Sequence, residues 1–279
     1  MSYASKTCVV VCAMVAMLAL APQAQATLIA CYNMEQSASP LVDQAGGQTA
    51  VTNGGGGDLY QQAGVPAGTY GALTTLSTGY AAGLSNTASQ WDISVADSAE
   101  LNLTNNFTVM GWLYLPASPG ATVPSLIGRG QGWAGRGWNF AVRDYQAGSR
   151  GIELTGNGIA DYYSNDVITW DQWHHIAATK SSTGGINFYL DGNLTATIAG
   201  ATGNFNALSG TESYSLGRGN TIATQAINGG KMDELRVYNT VLTQTEIRAA
   251  AVVVPEPSTI VLAASGLIGL LAYAWRKRK

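Results

Sequence analysis

The sequence predicts an all-β protein, an antiparallel sandwich of two sheets, and three observations lead there. Apolar and polar residues alternate with period two in eight short runs, glycine-rich turns separate the runs, and only 11% of the 279 residues are charged against 46% hydrophobic. Alternation marks strands buried on one face, and many short strands joined by turns pack as a sandwich. A charged fraction well under the roughly 25% of ordinary soluble domains fits an exported β protein kept in solution by uncharged polar groups.

Taken from the N-terminus, residues 1–26 read as a secretory leader. Lys6 supplies the positive charge, Cys8 to Ala21 is apolar, and Ala24 and Ala26 give a small-residue cleavage pattern, so the mature chain begins at Thr27. Leu28-Ile29-Ala30-Cys31 also resembles a lipobox, but Pro22 to Thr27 separates it from the apolar run. Cys8 and Cys12 leave with the leader, so Cys31 has no partner for a disulfide and reads as a small core residue. The stretch Asp43 to Gly71, with four consecutive glycines at 54–57, reads as a long loop.

The central runs follow. Phe107 to Leu115 puts Phe107, Val109, Leu113 and Leu115 on one face and Thr108, Met110, Trp112 and Tyr114 on the other. Further strands are expected at Gly137–Asp144, Ser149–Thr155, Gln172–Lys180, Gly185–Leu190, Leu194–Ala199, Ser213–Arg218 and Gly230–Tyr238, with a two-residue hairpin turn at Asp191-Gly192. One helix is expected: Thr243 caps it, Glu246 completes a T-x-x-E capping box, and it closes a domain spanning residues 27–254.

Residues 255–279 form a separate tail. Pro255-Glu256-Pro257 precedes an apolar run, 260–275, and the basic cluster 276–279. Sixteen helical residues reach about 24 Å, just short of the ~30 Å hydrocarbon layer, and the flanking aromatic and basic side chains extend that reach. The basic end stays cytoplasmic by the positive-inside bias, so the inner membrane would hold the helix with the domain across it. The order of Pro-Glu-Pro, apolar helix and basic end resembles the PEP-CTERM sorting signal of exopolysaccharide-producing Gram-negative bacteria. That resemblance implies cleavage near Pro255, Glu256 and Pro257 by an exosortase-type membrane peptidase, with release to the cell surface, the matrix or the medium.

Between the two ends nine basic and sixteen acidic residues remain, which disfavours a nucleic-acid partner. Four segments in order resemble a laminin G-like, concanavalin A-like jelly-roll domain. They are Ser98 to Leu103 leading into Phe107–Pro116, then Asp171-Gln172-Trp173-His174-His175, then Asn187 to Gly192, then Met232 to Asn239. The resemblance implies two antiparallel sheets with a concave side, a fold shared by lectins, adhesion modules, glucanases and lyases, so chemistry must be argued from a site.

No serine–histidine–carboxylate order, phosphate loop or paired-cysteine metal motif stands out. His174 and His175, as strand neighbours, face opposite ways. Glycosidase chemistry wants carboxylates roughly 5 to 9 Å apart on one face, and no single strand carries that array, so the expectation is a protein that is not an enzyme; Arg143, His174 and Tyr189 keep a lyase open. For ligands the richest segment is Gly128 to Tyr145. Trp133 and Trp138 could stack on sugar rings, and Arg136 and Arg143 could clamp carboxylates or sulfates of an acidic extracellular polysaccharide, with Tyr162 and Tyr163 adding contacts. Trp138 also alternates with Phe140, as a core residue would. One structural Ca2+ is the expected cofactor. Asp233 shares the parity of Leu235 and Val237, which points it inward, where a bare carboxylate is costly. The family resemblance implies a calcium joining the first strand region to the last strand, with Glu35, Asp43 and Asp233 as ligands.

Overall fold

The computed structural model describes residues 26–38, 41–46, 50–53, 60–84, 92–96, 99–117, 123–129, 136–146, 149–166, 168–207, 214–217, 227 and 229–252. The leader, the glycines at 54–57, Trp133, Pro255, Glu256, Pro257 and the apolar run 260–275 lie outside them.

Two antiparallel sheets face each other. The first has eight strands: β1 (Leu28–Tyr32), β3 (Gln62–Ala63), β6 (Tyr80–Leu84), β8 (Phe107–Tyr114), β13 (Trp173–Ser181), β14 (Gly185–Leu190), β15 (Asn193–Ile198) and β17 (Gly230–Tyr238). The second has seven: β2 (Ala50–Asn53), β7 (Asp92–Val95), β9 (Ser125–Arg129), β10 (Trp138–Gln146), β11 (Ser149–Gly156), β12 (Ala160–Tyr163) and β16 (Tyr214–Leu216). A two-stranded hairpin, β4 (Gly68–Tyr70) with β5 (Leu73–Thr75), a single 3-10 turn at Ala99–Leu101 and one α-helix, α1 (Gln244–Ala251), complete the described elements. The eight strands read from the sequence are all present. The loop expected over Asp43 to Gly71 is corrected, because β2, β3 and β4 fall inside it.

The alternation in β8 decides what each face does. Phe107, Val109, Leu113 and Leu115 enter the core between the sheets, where Phe107 stacks on Trp138 at 5.2 Å and Trp138 meets the edge of Tyr214 at 5.6 Å. Each such side chain removed from water contributes about 1.5–3 kcal/mol. Met110, Trp112 and Tyr114 point the other way and are covered too. Leu73, Val65 and Ala251 join Trp112 and Trp173 in one cluster, and Ile247 and Leu242 join Met110, Ala177 and Tyr189 in another. The hairpin and α1 therefore cover the middle of the outer face of the eight-stranded sheet, leaving β15 exposed at its edge. Helix α1 starts as the sequence predicts: the Thr243 hydroxyl accepts from the Glu246 amide and the Glu246 carboxylate accepts from the Thr243 amide.

In β17 the residue parity breaks. Glu234 has φ +50°, and the register against β8 shifts between Asp233 and Arg236. Before this bulge the open side of β17 pairs with β6, and after it with β1. Met232 and Leu235 consequently both face the core, and Asp233 lies opposite Trp112 on the other face. The inward direction expected for Asp233 is thus corrected: it is fully buried, but beneath the covering layer rather than between the sheets.

Candidate functional site

With the middle of one outer face covered, the outer face of the seven-stranded sheet is the other candidate surface, open at its β12 edge, where Asp161 and Tyr163 are exposed, and buried at Asn139 and Glu153. The register runs one row across it, Asp161–Thr155–Asn139–Gly128–Ser215–Ser94, each residue paired with the next. Their inward neighbours, among them Leu154, Phe140, Ile127, Leu216 and Ile93, fill the core, so alternation turns this polar row outward.

At the β10–β11–β12 end stands a cluster of charge. Arg143 Nη2 lies 3.3 Å from Asp161 Oδ2, its Nη1 lies 3.6 Å from Glu153 Oε1, and its guanidinium carbon sits 5.1 Å from the centroid of the Tyr163 ring. The Thr155 hydroxyl is 2.8 Å from Glu153 Oε1 and 3.0 Å from Asp161 Oδ1. One hydroxyl has one proton, so it joins the two carboxyl groups as a shared bridge. Burial pushes the Glu153 carboxyl above the usual carboxylate range; the Thr155 hydroxyl and Arg143 pull it down, and Asp161 raises it further. Beside it Asn139 Nδ2 donates to Ser125 Oγ at 3.0 Å. Asn139 Oδ1 and Glu153 Oε2 are buried and have no hydrogen-bond partner among the described residues.

Of the residues expected to bind ligand, Arg143 and Tyr163 meet here, and Tyr163 is exposed. Trp138 and Tyr162 are corrections. Trp138 is 1% exposed in the core, and Tyr162 points the same way, its ring stacked 6.3 Å from Phe205. Arg136 is exposed just before β10, about 23 Å of strand from Arg143, and its carbonyl accepts from Asn157 Nδ2. Glu153 and Asp161 escaped sequence reasoning because they sit on neighbouring strands. The pairing of Thr155 with Asp161 is what brings them onto one face.

The histidines do face opposite ways. His175 is fully buried, its ring 5.3 Å from Trp112, and burial lowers its pKa to about 3. His174 lies between the Thr169 hydroxyl at 2.7 Å and Asp191 Oδ2 at 2.8 Å, a hydroxyl–imidazole–carboxylate chain that no serine-based motif revealed. It braces a turn. Asp191 Oδ1 accepts from the His175 amide, and the next carbonyl, Gly192, accepts from Gln244 and Arg248 of α1, so the chain fixes the Asp191-Gly192 turn.

The three expected metal ligands do not gather. Asp43 accepts from the amides of Cys31, Ala45 and Gly46 and holds its own turn. Glu35 accepts from the Tyr80 amide and lies near Asp233, beside the bulge. Asp233 Oδ1 takes the Glu234 amide, whereas its buried Oδ2 has no partner within hydrogen-bond geometry among the described residues, the Thr78 hydroxyl being the nearest side-chain donor to this carboxyl. Burial drives its carboxyl well above the usual range, against the Thr78 hydroxyl, and nearby Glu234 and Glu35 add to the rise. Among the described residues no group of three or more His, Cys, Asp or Glu could hold a metal. An orphaned carboxylate oxygen beside Glu35 nevertheless fits a hard cation, provided backbone carbonyls complete the shell.

The tail, residues 253–279, matches the PEP-CTERM protein-sorting motif, which marks an exported protein. No curated protein matches the sequence. Among solved structures the chain is similar to domain 4 of AbnA, a GH43 extracellular arabinanase from Geobacillus stearothermophilus, in complex with arabinotriose. Identity is 18% over 81% of this chain and 98% of that one, with a TM-score of 0.56. It is also similar to the binding domain of Paraclostridial mosquitocidal protein 1 (15% identity, 80% of this chain, 51% of that one, TM-score 0.55). A third likeness is to the binding domain of botulinum neurotoxin DC in complex with rat synaptotagmin II (12%, 80%, 50%, TM-score 0.53). This chain spans about half the length of those two. At these identities the likeness is one of fold. Residues 86–248, more than half of the sequence, match one family along the strands described above, and the chain belongs to the concanavalin A-like lectin/glucanases superfamily.

Proposed function

We propose that this is an exported, non-catalytic carbohydrate-binding or adhesion protein of the cell surface or extracellular matrix, holding polysaccharide on the outer face of its seven-stranded sheet. The observation that carries this reading is a difference between the faces: α1 and a hairpin cover the middle of one sheet, and the other carries a polar row that is buried at Asn139, half-buried at Thr155, Ser215 and Ser94, and exposed at its Asp161 and Tyr163 end. Such groups hydrogen-bond sugar hydroxyls, and an exposed ring stacks on sugar C–H faces. By fold analogy alone, the arabinotriose bound to domain 4 of AbnA is the kind of ligand this architecture carries. A glycan array probed with the full-length chain in a non-glycosidic detergent tests the reading. Binding that Tyr163→Ala weakens supports it, and silence on every glycan removes it.

A polysaccharide-cleaving enzyme is the second reading, favoured by the Glu153–Asp161 pair. New reducing ends or unsaturated ends released from a bound polymer, and lost in Glu153→Gln, would establish it. For delivery, an exosortase-type peptidase cleaves near Pro255, Glu256 and Pro257 after the apolar run has paused in the inner membrane. Mass spectrometry of the exported chain should end it there, and an intact tail outside the cell would contradict this. We also propose one structural Ca2+ held by Glu35 and Asp233.

A further inference from the structure

We propose that the outer face of the seven-stranded sheet selects uncharged polysaccharide over uronate-rich or sulfated chains, because Arg143 reaches that face with its charge already matched by Glu153 and Asp161. This inference rests on the glycan-binding reading above. It reverses the role the sequence suggests for Arg143, which is to clamp an acidic ligand.

Charge is the first argument. The guanidinium has Asp161 Oδ2 at 3.3 Å and Glu153 Oε1 at 3.6 Å, and the ring of Tyr163 lies under it. Both ends of the fork that would grip a ligand carboxylate are therefore directed at the protein's own carboxyl groups. The cluster has no positive charge to offer: it is neutral if one of the two carboxyls is protonated and negative if neither is. Asp161, at the rim, repels an approaching anion.

Hydrogen-bond polarity is the second and independent argument. Asn139 Oδ1, and Glu153 Oε2 in its ionised form, on adjacent strands of the same face, are acceptors in side chains at least nine-tenths buried, without a donor among the described residues. An unmet buried acceptor calls for an O–H or N–H. Sugar hydroxyls donate, whereas ionised carboxylates and sulfates only accept. The rest of the row, Thr155, Ser215 and Ser94, can exchange hydrogen bonds in either direction but adds no charge.

The test is calorimetric titration of the full-length chain, in a non-glycosidic detergent, with neutral gluco-, xylo- and arabino-oligosaccharides and with oligouronates from alginate. It is run at low salt and again at about 0.3 M, where the Debye length falls below about 8 Å. Neutral sugars should bind about tenfold or more tighter than uronates, with an affinity that salt leaves unchanged. Asp161→Asn, which releases one arm of Arg143, should gain uronate binding by roughly fivefold at low salt and lose that gain at high salt. Wild-type protein that prefers uronates and weakens with salt overturns the selectivity while leaving glycan binding intact. An Asp161→Asn chain with unchanged uronate affinity overturns the role given to Arg143. Failure to bind either class removes both this inference and the reading beneath it.

Discussion

Trp112 and Ala251, 139 positions apart, are joined by a buried hydrogen bond in which the indole N–H donates to the carbonyl at 3.1 Å. Trp112 is central in β8 and Ala251 ends α1, so the bond fastens the covering helix to the middle of the sheet. Ending the chain after Val252 keeps the bond, and ending it after Leu242 removes α1 with its buried Ile247. The first truncation should melt within about 2 °C of the full chain and the second roughly 10 °C or more lower. Equal midpoints by calorimetry would show the helix to be dispensable.

The two aromatics Trp138 and Tyr163 should separate stability from binding. Trp138→Ala opens a cavity between Phe107 and Tyr214 and should cost about 3–5 kcal/mol in urea unfolding. Tyr163→Ala should stay within about 0.5 kcal/mol of wild type while weakening glycan binding about tenfold. A Trp138→Ala chain of normal stability would place that side chain outside the core.

Acid should expose His175. Its folded pKa is lowered to about 3 by burial, with Asp191 opposing and Arg236 reinforcing the shift, and its unfolded value is about 6.5. The stability from its neutral form is complete above about pH 6.5 and is lost as pH falls towards 3, reaching about 3 kcal/mol lost near pH 4.5. The raised carboxyls Glu153 and Asp233 act in the opposite sense, gaining stability as pH falls. Comparing the acid slopes of wild type and His175→Leu isolates the histidine. The variant should be flatter, and superimposable slopes would sink the assignment.

The calcium proposal divides Asp233 from Asp43. Added Ca2+ should raise the melting midpoint, a chelator should reverse the rise, and Asp233→Asn should abolish the response while raising the chelated midpoint, since it removes a buried carboxylate without a full set of partners. Asp43→Asn should keep the response and lose about 1–3 kcal/mol, because three amides depend on that carboxylate. A chelator that leaves the wild-type midpoint unmoved retires the ion.

At the end of the domain, Thr243→Ala should cost about 1 kcal/mol by leaving the Glu246 amide without its acceptor. Thr243→Ser should restore most of it, and a neutral alanine variant would mean that packing of Ile247 alone sets the helix start.

The parts of this architecture that were legible are those whose signal is local. Period-two alternation located β8, β10, β13 and β17, the Asp191-Gly192 pair gave a hairpin turn with φ of +49° and +77°, and the capping box gave α1. What escaped depends on contacts between segments. β12 is four residues, ADYY, too short for a period, and its pairing with β11 alone decides that Asp161 joins Glu153 and that Tyr163 rather than Tyr162 faces out. The bulge at Glu234 has no glycine or asparagine to announce it, so parity counted through it sent Asp233 the wrong way. Arg143 was found as a residue, but its charge balance was hidden, because both counter-ions come from other strands.

β1, the first described strand, hydrogen-bonds to β17, the last, and β8 lies against the other side of β17. An interior strand of the larger sheet thus comes late in chain order, after all the strands it joins. Until residues up to Tyr238 are in place, the β1 and β8 edges that face β17 stay unpaired. Strand order itself makes completion of the larger sheet a long-range event, because its β1 and β8 edges wait on β17.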